Sequence, residues 1–310
     1  MSAAGVTLIE PTGALRFSHQ AMNTVFEIVC THPDPAYARQ AAWAAFDVSG
    51  RLEQELSRFI ENSDISRINS LAAGESVRVS RWTMESLELA RLAWAETAGA
   101  FDISLGTGLD RLSLDPRRLE VRANAGGARL DLGGIGKGYA VDRMAEVLAE
   151  WGVERAVVHG GFSSVLALEA PEGSEGWPLT MSAPDGAAAA PFVFIQARYM
   201  AFSASGTQKE DHIVDPRTGQ PVRSRRAAWA SAAVSDLAEF CRRARDITGA
   251  SAGAAAINES PAAVVEAFST AFLILDASEI RDCCRRYPGL ESWTLENGPA
   301  APPKMVHFPD

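Results

Sequence analysis

Strand-like and helix-like runs alternate along this chain without a regular period, and the sequence predicts an α+β fold with a mixed-sheet core and flanking helices. Three observations carry that prediction. Short apolar runs of strand length recur, several meet at hairpin turns, and only a few segments have the longer apolar spacing of helices. A doubly wound parallel sheet would need a stricter alternation of strand and helix. With 310 residues, 47% of them hydrophobic, the chain is long enough to bury a large core.

The elements follow in order. Residues 26–30 (FEIVC) read as a first strand, and 35–54 as a long helix with Ala41, Ala45, Phe46 and Leu52 on one apolar face. After the polar segment 58–69, the helix formers of 82–98 predict a second helix that stops before Gly99. Short β-like runs are expected at 119–121 and 128–132, then a glycine-punctuated segment and a helix over 139–151. Residues 156–159 and 164–169 read as strands flanking the turn Gly160-Gly161. Gly, Pro and alanine in 170–191 suggest an exposed hairpin loop, and 235–245 a charged helix. The low-complexity stretch 248–263 precedes an apolar helix over 264–275. The chain closes on a hairpin of 292–295 with 305–308 across Asn297-Gly298.

Charge and cysteine content exclude several function classes. Twenty-nine Lys and Arg against 39 Asp and Glu give a net charge of −10, which offers a general nucleic-acid binder little basic surface. Cys30, Cys241, Cys283 and Cys284 lack CxxC spacing and a zinc-like histidine set, so they read as reduced core thiols. No basic stretch leading into an apolar one, no early lipid-anchor cysteine and no run of about 18 apolar residues is visible, so a cytoplasmic protein without a membrane span is expected.

The most informative stretch is 130–142, LDLGGIGKGYAVD, where a strand-like run meets four glycines, a lysine and a helix. Glycines let backbone N–H groups approach an anion, a helix N-terminus adds partial positive charge, and a lysine adds a point charge. Lys137 is one of only three lysines, with Lys209 and Lys304. The alternative is a helix cap with a solvated lysine. The P-loop pattern fails because Gly138 follows Lys137 and Asp131 stands at the upstream glycine position; the dinucleotide pattern fails because Tyr139 occupies its last position.

Two weaker constellations follow. In 211–221, DHIVDPRTGQP, His212 can take a proton near neutral pH and Asp215 can orient or anchor the segment. An ordinary structural turn explains the same residues. In 265–272, VEAFSTAF, Glu266, Ser269 and Thr270 share one helix face, an oxygen set that suits Mg²⁺ with substrate phosphates and water. Hydroxyls bonded back to their own helix are the plainer reading.

Taken in order, these motifs resemble the ApbE-type FAD:protein FMN transferases from Met22 to the end of the chain. The residues that carry the resemblance are Met22-Asn23-Thr24, the segment SRFIENSDISRIN with Ser57, Phe59, Ser63 and Asn69, Gly99 to Asp102 (GAFD), DLGGIGKGYAVD, HGGFSS, HIVDPRTGQP and VEAFSTAF. The resemblance implies a single catalytic unit over 22–310 with a flavin cleft, an N-terminal extension over 1–21 and a helical insertion near 235–263. It implies a reaction that moves FMN from FAD to a threonine of an acceptor flavoprotein and releases AMP, with Mg²⁺ as cofactor. FAD binding is implied for Met22, Phe59, Ala100, Phe101, Asp102, Gly133 and Tyr139, with Lys137 near the phosphates. Metal binding is implied for the Gly136 carbonyl, Glu266 and Thr270, with Ser269 beside them. His212 matches the family's general base, with Asp215 next to it. Glu266 stands where the family usually has aspartate, and Asn23 where it has glycine. The two alternatives are a Mg²⁺-dependent FAD pyrophosphatase and a noncatalytic flavin-binding protein.

Overall fold

The computed structural model describes residues 4–161, 163–182, 193–206, 213–237, 260–297 and 304–309. The chain runs through β1 (Gly5–Leu8), β2 (Leu15–Ala21), β3 (Thr24–Cys30), α1 (Pro35–Leu56), α2 (Asp64–Asn69), β4 (Ser76–Arg78), α3 (Arg81–Glu96), β5 (Leu112–Asp115), β6 (Glu120–Ala123) and α4 (Gly136–Glu150). It continues with β7 (Ala156–Gly160), β8 (Ser164–Ala167), β9 (Trp177–Ser182), β10 (Val193–Ala197), β11 (Met200–Gly206), β12 (Val214–Asp215), β13 (Gln220–Pro221) and β14 (Arg225–Ala233). Helices α5 (Pro261–Phe272) and α6 (Ala277–Arg286) precede the final strands β15 (Glu291–Glu296) and β16 (Lys304–Phe308). The α+β class holds.

An eight-stranded sheet in the order β16-β15-β14-β11-β8-β7-β3-β2 forms the middle layer. Side chains alternate between its faces. Phe26, Ile28, Val158, Leu166 and Ala230 join the core built with the helices, whereas Val29, Val157, Val165, Phe202 and Trp229 join a second core. That second core is closed by the small sheet β1-β9-β10, whose Val6, Trp177, Leu179 and Met181 are buried in it. Cys30, Cys283 and Cys284 are buried, and burial pushes the Cys30 thiol up to about 11, which suits an inert core residue. Cys241 lies outside the described residues.

Local chemistry explains most boundaries. Asp34 caps α1 by accepting from the amides of Ala36 and Tyr37, and Pro35 needs no donor in the first turn. The β2–β3 hairpin turns on Met22 and Asn23, both at positive φ (50° and 55°), so the asparagine occupies a left-handed position that glycine or asparagine tolerates best. Residues 4–21 thus supply β1 and β2, which pair with β9 and β3.

The structure corrects some sequence expectations. Residues 128–132 form no strand, because Asn69 takes both backbone groups of Leu130 (2.6 and 3.0 Å) and the Asp131 amide donates to the Ile103 carbonyl. The segment 170–191 is not simply an exposed loop: it contains β9, and Trp177 is fully buried with its indole N–H donating to the Glu169 carbonyl. The charged helix expected over 235–245 falls outside the described residues beyond Leu237, as does most of the proposed insertion.

Candidate functional site

Helices α4 and α5 meet almost backbone to backbone, and that meeting builds the site. A Cβ on Gly138 would lie 2.4 Å from the Ala262 carbonyl oxygen and 2.7 Å from the Ala263 nitrogen, so only glycine permits this approach. Asp142, one turn further along α4, is buried and accepts from the Ala262 and Ala263 amides at 2.9 Å each, capping α5 with a carboxylate. Burial pushes its carboxyl up to about 8, against Arg143 and the two amides, which favour the charge. At the far end of α5, the buried Arg225 guanidinium donates to the Phe272 and Leu275 carbonyls. The Asp142 oxygens thus satisfy the first free amides of α5, and the Arg225 cation at the C-terminus complements the helix dipole.

This clamp sets Glu266 against the glycine loop. The Glu266 carboxylate, nearly inaccessible to solvent, accepts from the Gly138 amide at 2.6 Å and pairs with the Lys137 ammonium. Lys137 also donates to the Gly133 carbonyl at 3.0 Å. One turn on, Thr270 Oγ1 lies 3.1 Å from the Glu266 carbonyl and 3.2 Å from Ser205 Oγ. Ser269 is fully buried and bonds Ser203 and Ser205.

The opposite wall comes from the end of α3. The Thr97 hydroxyl donates to Ala93 and accepts from the Phe101 amide, which turns the chain through Gly99 (φ 80°) and buries Ala100 and Phe101. Asp102 spends its carboxylate on its own loop, accepting from the Ser104 amide and hydroxyl and from the Gly106 amide. Asp131 holds the start of the glycine loop through the Gly133 amide (2.9 Å) and is itself held by Arg58 (2.8 Å).

Between these walls lies a pocket of about 800 Å³. Of the residues singled out from the sequence, Ala100, Phe101, Asp102, Gly133, Lys137, Glu266 and Thr270 line it. Others do not. Tyr139 is wholly buried on the core side of α4, its hydroxyl donating to Glu85 on α3 at 2.6 Å. Met22 packs half-buried against the core from the β2–β3 turn. Phe59 is 82% exposed, with the Arg58 guanidinium 4.5 Å from its ring centre. Gly136 is buried in the first turn of α4, and Ser269 stands behind Thr270. Asp215 sits between the pocket residues Val214 and Pro216; burial works against its charge, but Arg217 holds the carboxyl below its usual range. His212 lies outside the described residues.

Sequence reasoning gave no role in this assembly to Arg58 or Arg225, and none of their own to Asp131 and Ser205, which lie within or beside the motifs. It also missed Gly5 and Thr7 of β1, which line the pocket although nothing in their sequence marks them. Among the described residues no three His, Cys, Asp or Glu side chains cluster to hold a metal ion.

The site thus sets a glycine loop with a lysine against an acidic, hydroxyl-bearing helix face in one pocket of an α+β fold. The ApbE family model matches residues 22–111 and 105–265, and the chain belongs to the ApbE family. It is similar to an FAD:protein FMN transferase of Buchnera aphidicola subsp. Schizaphis graminum, 20% identical over 254 residues that cover 69% of this chain and 73% of the relative. A second, from Vibrio cholerae serotype O1, is 22% identical over 256 residues, covering 70% and 75%. Among solved structures, the flavin transferase ApbE from Vibrio cholerae superposes with a TM-score of 0.75 at 16% identity, over 96% of this chain and 97% of that one. The ApbE protein from Thermotoga maritima gives 0.74 at 21% identity, over 94% and 96%. No helix among the described residues is long and apolar enough to cross a membrane.

Proposed function

We propose that this protein is an FAD:protein FMN transferase that moves FMN from FAD to a threonine hydroxyl of an acceptor flavoprotein and releases AMP. The observation that carries the reading is the convergence of Ala100 to Asp102, the glycine loop and the Glu266–Thr270 helix face in one pocket of a chain that belongs to the ApbE family. The threonine oxygen bonds to the phosphorus of the FMN half, and the bond from that phosphorus to the bridging oxygen breaks. AMP leaves with that oxygen. Phosphoryl transfer of this kind depends on positioning and charge stabilisation more than on covalent help from the protein.

Each group has a part in that division. The Lys137 ammonium, at the end of the glycine loop, holds the pyrophosphate. Ala100 and Phe101 form the apolar floor for the flavin, with Gly133 and the Asp102 loop at its edge, and Phe59 and Met22 reach the cofactor from outside the pocket lining. His212 takes the proton of the acceptor hydroxyl, and Asp215, anchored by Arg217, steadies its segment.

The oxygen donors suit Mg²⁺, which accepts one carboxylate with hydroxyl, carbonyl, phosphate and water oxygens. Glu266, Thr270 and the Gly136 carbonyl would hold it, with Ser269 bracing Thr270 through Ser205. The Lys137 ammonium on the Glu266 carboxylate is a stand-in cation that supports this fit. When bound, Mg²⁺ supplies positive charge to the pyrophosphate.

The test is incubation of the full chain with FAD, Mg²⁺ and a threonine-bearing acceptor domain, read as flavin fluorescence that survives denaturation. Labelling of the acceptor but not of its Thr→Ala variant is expected, and Glu266→Ala should lower the rate at least about a hundredfold. Intact FAD with a verified acceptor would overturn the reading in favour of flavin binding alone. FMN and AMP formed equally with and without acceptor would instead make it a pyrophosphatase.

A further inference from the structure

Among the described residues that line the pocket, the one lysine is bonded to the one glutamate. Lys137 reaches across from the first turn of α4, and its ammonium divides its donors between the Gly133 carbonyl and the Glu266 carboxylate. The other carboxylate oxygen takes the Gly138 amide at 2.6 Å. A group this buried stays charged only when paired, and here the pairing is complete without any added ion. The carboxylate suited to a divalent cation is therefore already neutralised by the lysine suited to a phosphate.

We infer that Lys137 is a competitor for the metal site, so that FAD and Mg²⁺ bind cooperatively: the FAD pyrophosphate draws the Lys137 ammonium off Glu266 and opens that carboxylate to the ion. The inference rests on the transferase reading for the identity of the two ligands, but the competition between lysine and metal is a property of the ligand-free chain. The pyrophosphate carries two negative charges against one on Glu266, and Lys137 borders the space it would fill. Because coupling between two binding events is reciprocal, Mg²⁺ must tighten FAD by the factor by which FAD tightens Mg²⁺.

The experiment uses the full chain and calorimetric titration with Mg²⁺ alone, then with Mg²⁺ in the presence of FAD checked by chromatography to be intact. Wild type is expected to bind Mg²⁺ at least about tenfold more tightly with FAD than without, within the usual range of coupling. The Lys137→Met variant should bind Mg²⁺ without FAD more tightly than wild type, and its melting temperature should rise on adding Mg²⁺ while that of wild type stays unchanged. If the variant does not fold, the wild-type titrations alone decide. Equal Mg²⁺ affinity with and without FAD in wild type, or a Lys137→Met protein whose Mg²⁺ affinity is unchanged, overturns the inference. Failure of the transferase reading looks different: FAD neither binds nor reacts, while the Lys137→Met protein still gains Mg²⁺.

Discussion

The two faces of the eight-stranded sheet treat buried ionisable groups in opposite ways. On the helix side, Asp142 and Arg225 hold the two ends of α5, and Glu266 is matched by Lys137 and a backbone amide. On the side facing the small sheet, His159 is 3% exposed, and among the described residues neither ring nitrogen has a hydrogen-bond partner. Burial, with the Arg16 charge adding to it, pushes His159 down to about 4, so it is neutral at physiological pH. The contrast teaches where buried charge is worth keeping. A sandwich core tolerates a polar ring by keeping it neutral, whereas a helix that must present a carboxylate to a ligand needs every neighbouring charge answered.

The largest effect expected from this contrast is acid lability on the sandwich side. The unfolded His159 takes a proton near pH 6.5, while the folded one resists until about pH 4. Stability attributable to its neutral form is therefore full above pH 6.5 and lost as pH falls towards 4, on the order of 3 kcal/mol in all. Urea melts of wild type and His159→Leu between pH 7 and 4 check this, and the variant should lose less stability over that range. Parallel curves would mean that His159 does not set the acid limit.

On the helix side, Gly138→Ala forces a methyl into the Ala262 backbone and should cost about 1–3 kcal/mol by overpacking. Its melting temperature should fall and FAD affinity with it, because the glycine loop must move; a drop in stability with unaltered FAD binding would separate the helix contact from the site. Arg225→Met strands the Phe272 and Leu275 carbonyls and should cost about 1–2 kcal/mol in a chemical melt. An unchanged melt would show that water satisfies those carbonyls. The smallest effect is expected at Phe59, whose exposure predicts that Phe59→Ala changes stability by less than about 0.5 kcal/mol. Any loss of FAD affinity in that variant then reports ligand contact alone.

Much of the site was legible in the chain because its chemistry is local. Glycines and a lysine at a helix start, and an acid with hydroxyls at helical spacing, announce themselves within a dozen residues each. Tyr139 belongs to the same motif, yet its place along the helix turns the side chain toward α3 and Glu85, a partner that the motif does not show. Residues 128–132 had the apolar character of a strand, but Asn69, distant in sequence, holds their backbone. Helix α6 went unread in a charged stretch, although Asp276 and Glu279 form a capping box that marks its start. Strands β1 and β9 went unread because four to six residues carry little periodicity and their burial depends on partners far away.

By itself, the sequence determined the α+β class, the positions of α1, α3, α4 and α5, and the two motifs that face each other, since helix spacing and glycine conformations are properties of neighbouring residues. Only the tertiary structure decided that Lys137 and Glu266, 129 positions apart, are partners. That pairing follows from a close approach of α4 to α5 that one missing Cβ at Gly138 allows and Asp142 secures. No local pattern records such a contact, because its cause is the packing of two backbones.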